Sequence, residues 1–139
     1  MNRGAWRATF HGITKSQTQL KKLTLENGSK KCFGLCFDTG HLNLLRRTMD
    51  SYLPYLGDRI VCLHIHDNTQ DSDAHLMPYT GSIWWKDFLA ELKAIGYSGD
   101  LSFETFAQVE QKRLPPELLP AFLSAIADIG NYFRRKLEE

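Results

Sequence analysis

Ile60-Val61-Cys62-Leu63-His64-Ile65-His66-Asp67 decides the reading of this chain. It is short, rich in β-branched and aliphatic residues, and ends in side chains that can bind ligands. Two other stretches share the pattern: Phe33-Gly34-Leu35-Cys36-Phe37-Asp38 and Leu101-Ser102-Phe103-Glu104-Thr105-Phe106. Each is bounded by Gly, Asp or Asn, so each reads as a strand. Side chains alternate between the two faces of a strand. If Asp38 points inward, Cys36 and Gly34 join it, while Phe33, Leu35 and Phe37 face outward. If His64 points inward, Cys62 joins it, while Val61, Leu63 and Ile65 face outward. Glu104 takes Ser102 inward and leaves Leu101 and Phe103 outside. In all three strands, then, a bulky face packs on helices and a small face ends in a polar group.

Helical spacing fills the intervals. Met49, Tyr52, Leu53 and Leu56 form one stripe, with Gly57 as its stop. Trp85, Phe88, Leu89, Leu92 and Ile95 form another, with Gly96 at the left-handed cap position. Phe122, Ile126, Ile129 and Phe133 mark a final helix, with Pro120 near its start and Arg134, Arg135 and Lys136 at its end. Strand–helix alternation predicts an α/β fold with parallel strands. The face rule predicts part of a (β/α)8 barrel, about its last three strand–helix units, with a site at the C-terminal ends of the strands. The longest irregular stretch, Asn68 to about Ser82, follows the second strand and has the length of a functional loop.

The 139 residues suit one domain, with 42% hydrophobic and 24% charged residues and a net charge of +1. This excludes a globally basic nucleic-acid binder and an acidic tail protein. No apolar run is long enough for a membrane span. Arg3 and Arg7 are not followed by the apolar core of a secretory signal. Three cysteines (Cys32, Cys36 and Cys62) without metal-ribbon spacing point to a reducing, cytoplasmic setting. Charge divides the chain. Residues 1–31 hold seven Lys/Arg and one acid, whereas residues 32–139 hold ten Lys/Arg and fifteen acids. Residues 1–31 are therefore read as a basic N-terminal segment, a leader unrelated to the rest plus one helix around Ser16–Leu25. Residues 32–139 are read as the barrel portion.

Four of the five histidines lie between residues 41 and 75. With the carboxylates they give a candidate set of Asp38, His41, His64, His66, Asp67, Asp73, His75 and Glu104. Carboxylate oxygens and neutral imidazole nitrogens together suit divalent transition metals. Asp38-Thr-Gly-His41 lets two ligands turn into one site from a strand end, and Asp73-Ala-His75 puts both side chains on one side of an extended loop. His66 is placed near the mouth of the site, Asp67 is read as ordering its loop, and Cys36 and Cys62 are read as small buried residues. One of Trp84 and Trp85 is expected in the core.

Phe-Asp-Thr-Gly-His, Leu-His-Ile-His-Asp-Asn, Asp-Ala-His-Leu, Ile-Gly-Tyr-Ser-Gly and Phe-Glu-Thr together resemble the xylose isomerase-like TIM-barrel superfamily, over roughly Phe33 to Phe106. The likeness is strongest to sugar phosphate isomerases/epimerases. That resemblance implies a divalent metal (Mn²⁺, Mg²⁺, Co²⁺ or Zn²⁺) held by Asp38, His64 and Glu104. It also implies His41 as a contact to a substrate hydroxyl and Glu104 as an acid/base moving a proton through an enediolate. The implied partner is a small sugar or sugar phosphate. The same residues resemble endonuclease IV, the zinc phosphodiesterase of the superfamily, whose ligand types match Asp38, His41, His64, Asp73, His75 and Glu104. The acidic balance of residues 32–139 argues against duplex DNA as a partner.

Two departures stand out. Gln70 occupies the place where the epimerases usually carry an arginine. The chain is also shorter than the roughly 200 residues or more of a full barrel. The expectation is a truncated piece without the first-half ligands, so its turnover is in question. Open strand edges give it a tendency to self-associate or to pair with a complementary barrel fragment. A non-catalytic barrel fragment is the third reading.

Overall fold

The structure, a computed structural model, describes residues 6–8, 33–109 and 114–139. In chain order the elements are β1 (Trp6–Ala8), β2 (Phe33–Asp38), α1 (Thr39–Leu44), α2 (Met49–Leu56), β3 (Ile60–His64), α3 (Trp85–Ala94), α4 (Phe106–Val109) and α5 (Leu119–Glu138). The strands lie side by side in the order β1-β2-β3, and both pairings are parallel. A parallel bridge from Ile65 to Phe103 continues the sheet in the same direction. Parallel strands laid down in chain order, with α1 and α2 between β2 and β3, form one arc of a barrel wall.

β1 lies within the basic N-terminal segment, where no strand was expected. The expected helix around Ser16–Leu25 lies outside the described residues. The expected third strand, Leu101–Phe106, is reduced to its single bridge. Ile65 N–H donates to the Ser102 carbonyl (2.8 Å) and Glu104 N–H donates to the Ile65 carbonyl (3.0 Å). The ladder stops there because the next amide on that edge, Asp67 N–H, donates instead to the Leu76 carbonyl (2.8 Å), and the Glu104 carbonyl it would have met accepts from His75 Nδ1 (2.9 Å).

The outward face carries the core. Leu35, Phe37, Ile60, Leu63 and Ile65 are buried with Tyr52, Leu53 and Leu56 of α2, Phe88, Leu89 and Leu92 of α3, and Phe133 of α5. Phe133 is fully buried and closes the aromatic group, with ring centres 5.4 Å from Trp85 and 6.0 Å from Phe103. Each buried aliphatic or aromatic side chain stabilises by about 1.5–3 kcal/mol. Gly57 (φ 49) stops α2 and Gly96 (φ 66) follows α3, both at positive φ, and Gly96 holds the left-handed cap position that the sequence predicts.

One outward assignment fails. Val61 is 53% exposed, whereas Ile60 is buried. The register explains this: Leu35 faces Ile60, but Cys36 faces Cys62, so Val61 is an extra residue in a bulge. The bulge throws Val61 over Gly34, where a Cβ would collide with the valine side chain. Beyond the bulge the register recovers, pairing Phe37 with Leu63 and Asp38 with His64. That brings the polar ends of the two strands level.

Candidate metal centre

Asp38 ends β2 and starts α1 in one step. Its Oδ1 accepts the His41 amide (2.8 Å), capping the short helix that carries His41 back over the strand end. The same oxygen accepts from His66 Nε2 (3.0 Å). Its Oδ2 lies 3.1 Å from His41 Nδ1 and 3.7 Å from His64 Nδ1. Glu104 reaches the same place from the Phe103 bridge, with Oε1 3.2 Å from His64 Nδ1. Asp73 arrives from the long loop. Its Oδ2 sits 3.0 Å from His41 Nε2 and 3.4 Å from His75 Nε2. The structure therefore gathers seven of the eight candidate residues into one cluster at the C-terminal ends of the strands, while Asp67 is turned to the loop backbone and Trp85.

The loop delivering Asp73 and His75 is held from below by amides and one carboxylate. Asp67, fully buried, accepts from Asn68 N–H (2.9 Å) and Ile83 N–H (3.1 Å) through Oδ1. Its Oδ2 accepts from Gly81 N–H (3.1 Å) and Trp85 Nε1 (2.9 Å). Asn43 Nδ2 donates to Asn68 Oδ1 (2.9 Å), and Asn68 Nδ2 donates to the Gly40 carbonyl (2.8 Å). Gln70 Nε2 is spent on Asn43 Oδ1 (3.1 Å), a tie within the scaffold. Trp85 is buried and Trp84 is 76% exposed, so the core member of the pair is Trp85.

Tautomers follow from the partners. A carbonyl only accepts, so His75 Nδ1, 2.9 Å from the Glu104 carbonyl, carries the proton. Its Nε2 faces Asp73 Oδ2 at 3.4 Å. His66 Nε2 likewise donates to the Asp38 carboxylate, so His66 orients Asp38 and leaves its other oxygen to His41 and His64. His66 lies deeper than the mouth position expected for it: it is fully buried and stacked on His75, with ring centres 4.0 Å apart. Alternation along β3 gave its face but not its depth. The space it occupies depends on Gly40 at the start of α1, where a Cβ would fall inside the His66 ring.

The donor set fits a divalent cation. His64 Nδ1 is buried and makes no hydrogen bond among the described residues, although two carboxylate oxygens lie near it. A divalent cation set between this nitrogen and the two carboxylate oxygens would be coordinated by all three. Asp38, His66 and Glu104 also each offer an atom within 4.8 Å of the others, as do His66, Asp73 and His75.

Burial favours the neutral form of Asp38. The hydrogen bond and charge of His66 and the His41 amide outweigh it and hold the carboxyl below its ordinary value. Burial also opposes charge on His66, but the hydrogen bond and charge of Asp38 outweigh it and raise the imidazole. The sign for stability follows by linkage. The Asp38 contribution is present above about pH 3.9 and lost as pH falls through the depressed value; the His66 contribution is present below about pH 6.5 and lost as pH rises through the elevated one. Denaturant titration of the metal-free chain should therefore show the pair at full strength between about pH 4 and 6.5. His66→Gln should remove the decline on the alkaline side. Parallel profiles for the two proteins above neutral pH would contradict the pairing. On the inner face below, burial first, then the Cys62 hydrogen bond and nearby negative charge, push the Cys36 thiol up to about 12, which makes it a poor nucleophile.

A family model described as xylose isomerase-like TIM barrel matches residues 5–125. The uncharacterized protein y4fM of Sinorhizobium fredii is 39% identical over 72 residues, which cover 52% of this chain and 23% of that protein. The uncharacterized protein MJ1311 of Methanocaldococcus jannaschii is 32% identical over 135 residues, covering 94% of this chain and 44% of that protein. The solved structure of a D-tagatose 3-epimerase-like protein superposes with a TM-score of 0.58 at 29% identity, over 81% of this chain and 42% of the other. The chain thus spans less than half the length of each of these relatives. No described helix is long and apolar enough to cross a membrane. With a parallel wall, a polar cluster at its C-terminal rim and a family match over most of its length, the chain belongs to the xylose isomerase-like TIM barrel family.

Proposed function

We propose that this chain supplies the second-half metal ligands of a divalent-metal sugar isomerase or epimerase acting on a small sugar or sugar phosphate. The carrying observation is the convergence of Asp38 Oδ2, His64 Nδ1 and Glu104 Oε1 at the strand ends. The family and the epimerase-like neighbour support the reaction class. Mn²⁺, Mg²⁺, Co²⁺ or Zn²⁺ bound by these three residues would polarise a substrate carbonyl. Glu104, partly open to solvent, takes the proton from the carbon beside that carbonyl and leaves an enediolate. His41, braced between Asp38 and Asp73, donates to a substrate hydroxyl. His66 keeps Asp38 in its orientation throughout. Sheet edges left unpaired among the described residues favour self-association or pairing with a complementary barrel fragment.

The test is Mn²⁺ titration of the full chain followed by electron paramagnetic resonance. His64→Ala and Glu104→Ala should each weaken binding at least tenfold, which corresponds to about 1.4 kcal/mol. Unchanged affinity in both would end the assignment. The second reading, a zinc phosphodiesterase like endonuclease IV, draws on the extra donors His66, Asp73 and His75. Two or three Zn²⁺ per chain would favour it, and one Mn²⁺ or Co²⁺ would favour the isomerase.

A further inference from the structure

One rung below the carboxylate–histidine rim, the inner face holds a second donor set of different chemistry. Cys36 and Cys62 are direct partners across the β2–β3 pair, brought opposite each other by the bulge at Val61. Their thiols are hydrogen-bonded. His64 stands two residues along β3 on the same face. One ligand atom from each of the three lies within 4.8 Å of the others. A tetrahedral zinc with bonds of about 2.3 Å to sulfur and about 2.0–2.1 Å to nitrogen needs ligand atoms roughly 3.5–3.8 Å apart.

We propose that Cys36, Cys62 and His64 form an alternative site for a thiophilic divalent cation, Zn²⁺ or Cd²⁺, on the lumen face of the sheet, sharing His64 with the rim so that a soft cation there competes with one at the rim. Two sulfurs and one imidazole are a soft set, unlike the hard Asp38–Glu104 rim above it. Partial burial limits water access, which favours thiolate–metal bonds over hydrated ions. A fourth ligand comes from water or from Glu104, whose Oε1 is 3.2 Å from His64 Nδ1. Binding exchanges two thiol protons for one cation, with both protons released to solvent and no change in oxidation state.

The experiment is Cd²⁺ titration of the full chain in a non-thiol reductant, read by the ultraviolet sulfur-to-cadmium charge-transfer band. Wild type should bind one equivalent with the band intensity of two thiolates. X-ray absorption of that complex should show two sulfur neighbours. Cys36→Ser and Cys62→Ser should each halve the band and weaken Cd²⁺ at least tenfold, while Cys32→Ser leaves both unchanged. Asp38→Asn should leave the cadmium band intact while weakening Mn²⁺, so failure of the rim site and failure of this one are told apart. A wild-type complex without sulfur neighbours, or a band that follows Cys32, would overturn the proposal. The wild-type absorption measurement stands even if a cysteine variant fails to fold.

Discussion

Asp67→Ala should lower stability by about 3–5 kcal/mol and the melting temperature by roughly 10–20 °C. The carboxylate is fully buried and accepts four hydrogen bonds, from the amides of Asn68, Gly81 and Ile83 and from the Trp85 indole. Alanine removes all four acceptor contacts and leaves the donors in a space closed to bulk water. Each orphaned donor costs about 1–3 kcal/mol, and the total is reduced where the loop relaxes. Native domains have about 5–15 kcal/mol in all, so this one change consumes a large part of the margin. The loss is also local. Asp67 fixes the two ends of the loop that carries Asp73 and His75, so the rim should loosen before the sheet does. Asp67→Asn keeps the shape but turns an N–H₂ toward donors, so it should recover less than half of the loss. A melting temperature within a few degrees of wild type for the alanine variant would show that the loop is anchored elsewhere.

The loop's anchor was legible in the sequence and the loop's path was not. Asp67 follows a strand-like run and precedes a stretch with no period, which marks an ordering role. Nothing in that spacing names Gly81 or Trp85 as its partners. The same limit recurs across the fold. β2, α2 and α3 were readable because their apolar residues repeat with one period and stop at Gly57 and Gly96. α1 was not, because six residues starting Thr-Gly-His carry no stripe; the helix exists because Asp38 caps it. The bulge at Val61 was hidden because register belongs to a pair of strands and cannot be read from one. The third strand was over-read because its alternation is genuine, yet only Ile65 remains to pair with it. At the site, alternation gave the inward faces of Asp38, His64 and Glu104. It could not give the depth of His66, which depends on a glycine 26 residues earlier in the chain.

That glycine gives the second large effect. Gly40→Ala should cost about 3–5 kcal/mol, from overpacking of about 1–3 kcal/mol plus a charged hydrogen bond worth about 1.5–3 kcal/mol. The new methyl group would sit inside the His66 ring, which is buried and stacked on His75. The backbone cannot yield easily. Thr39 Oγ1 donates to the His66 carbonyl (2.7 Å) and accepts from His66 N–H, while the Gly40 carbonyl accepts from Asn68 Nδ2. The ring must therefore swing out and abandon Asp38 Oδ1. Asp38 then loses its orientation, and Mn²⁺ affinity should fall at least tenfold although none of the three proposed ligands has been changed. A double-mutant cycle isolates the cause. His66→Ala alone removes the ring and its hydrogen bond, and adding Gly40→Ala to it should cost little, because the methyl group then enters vacated space. The coupling between the two changes should be about 2 kcal/mol or more, well above the few tenths seen for independent sites. An additive cycle would mean that ring and methyl group never compete for the same volume, and the packing account of the Asp-Thr-Gly-His turn would have to be abandoned.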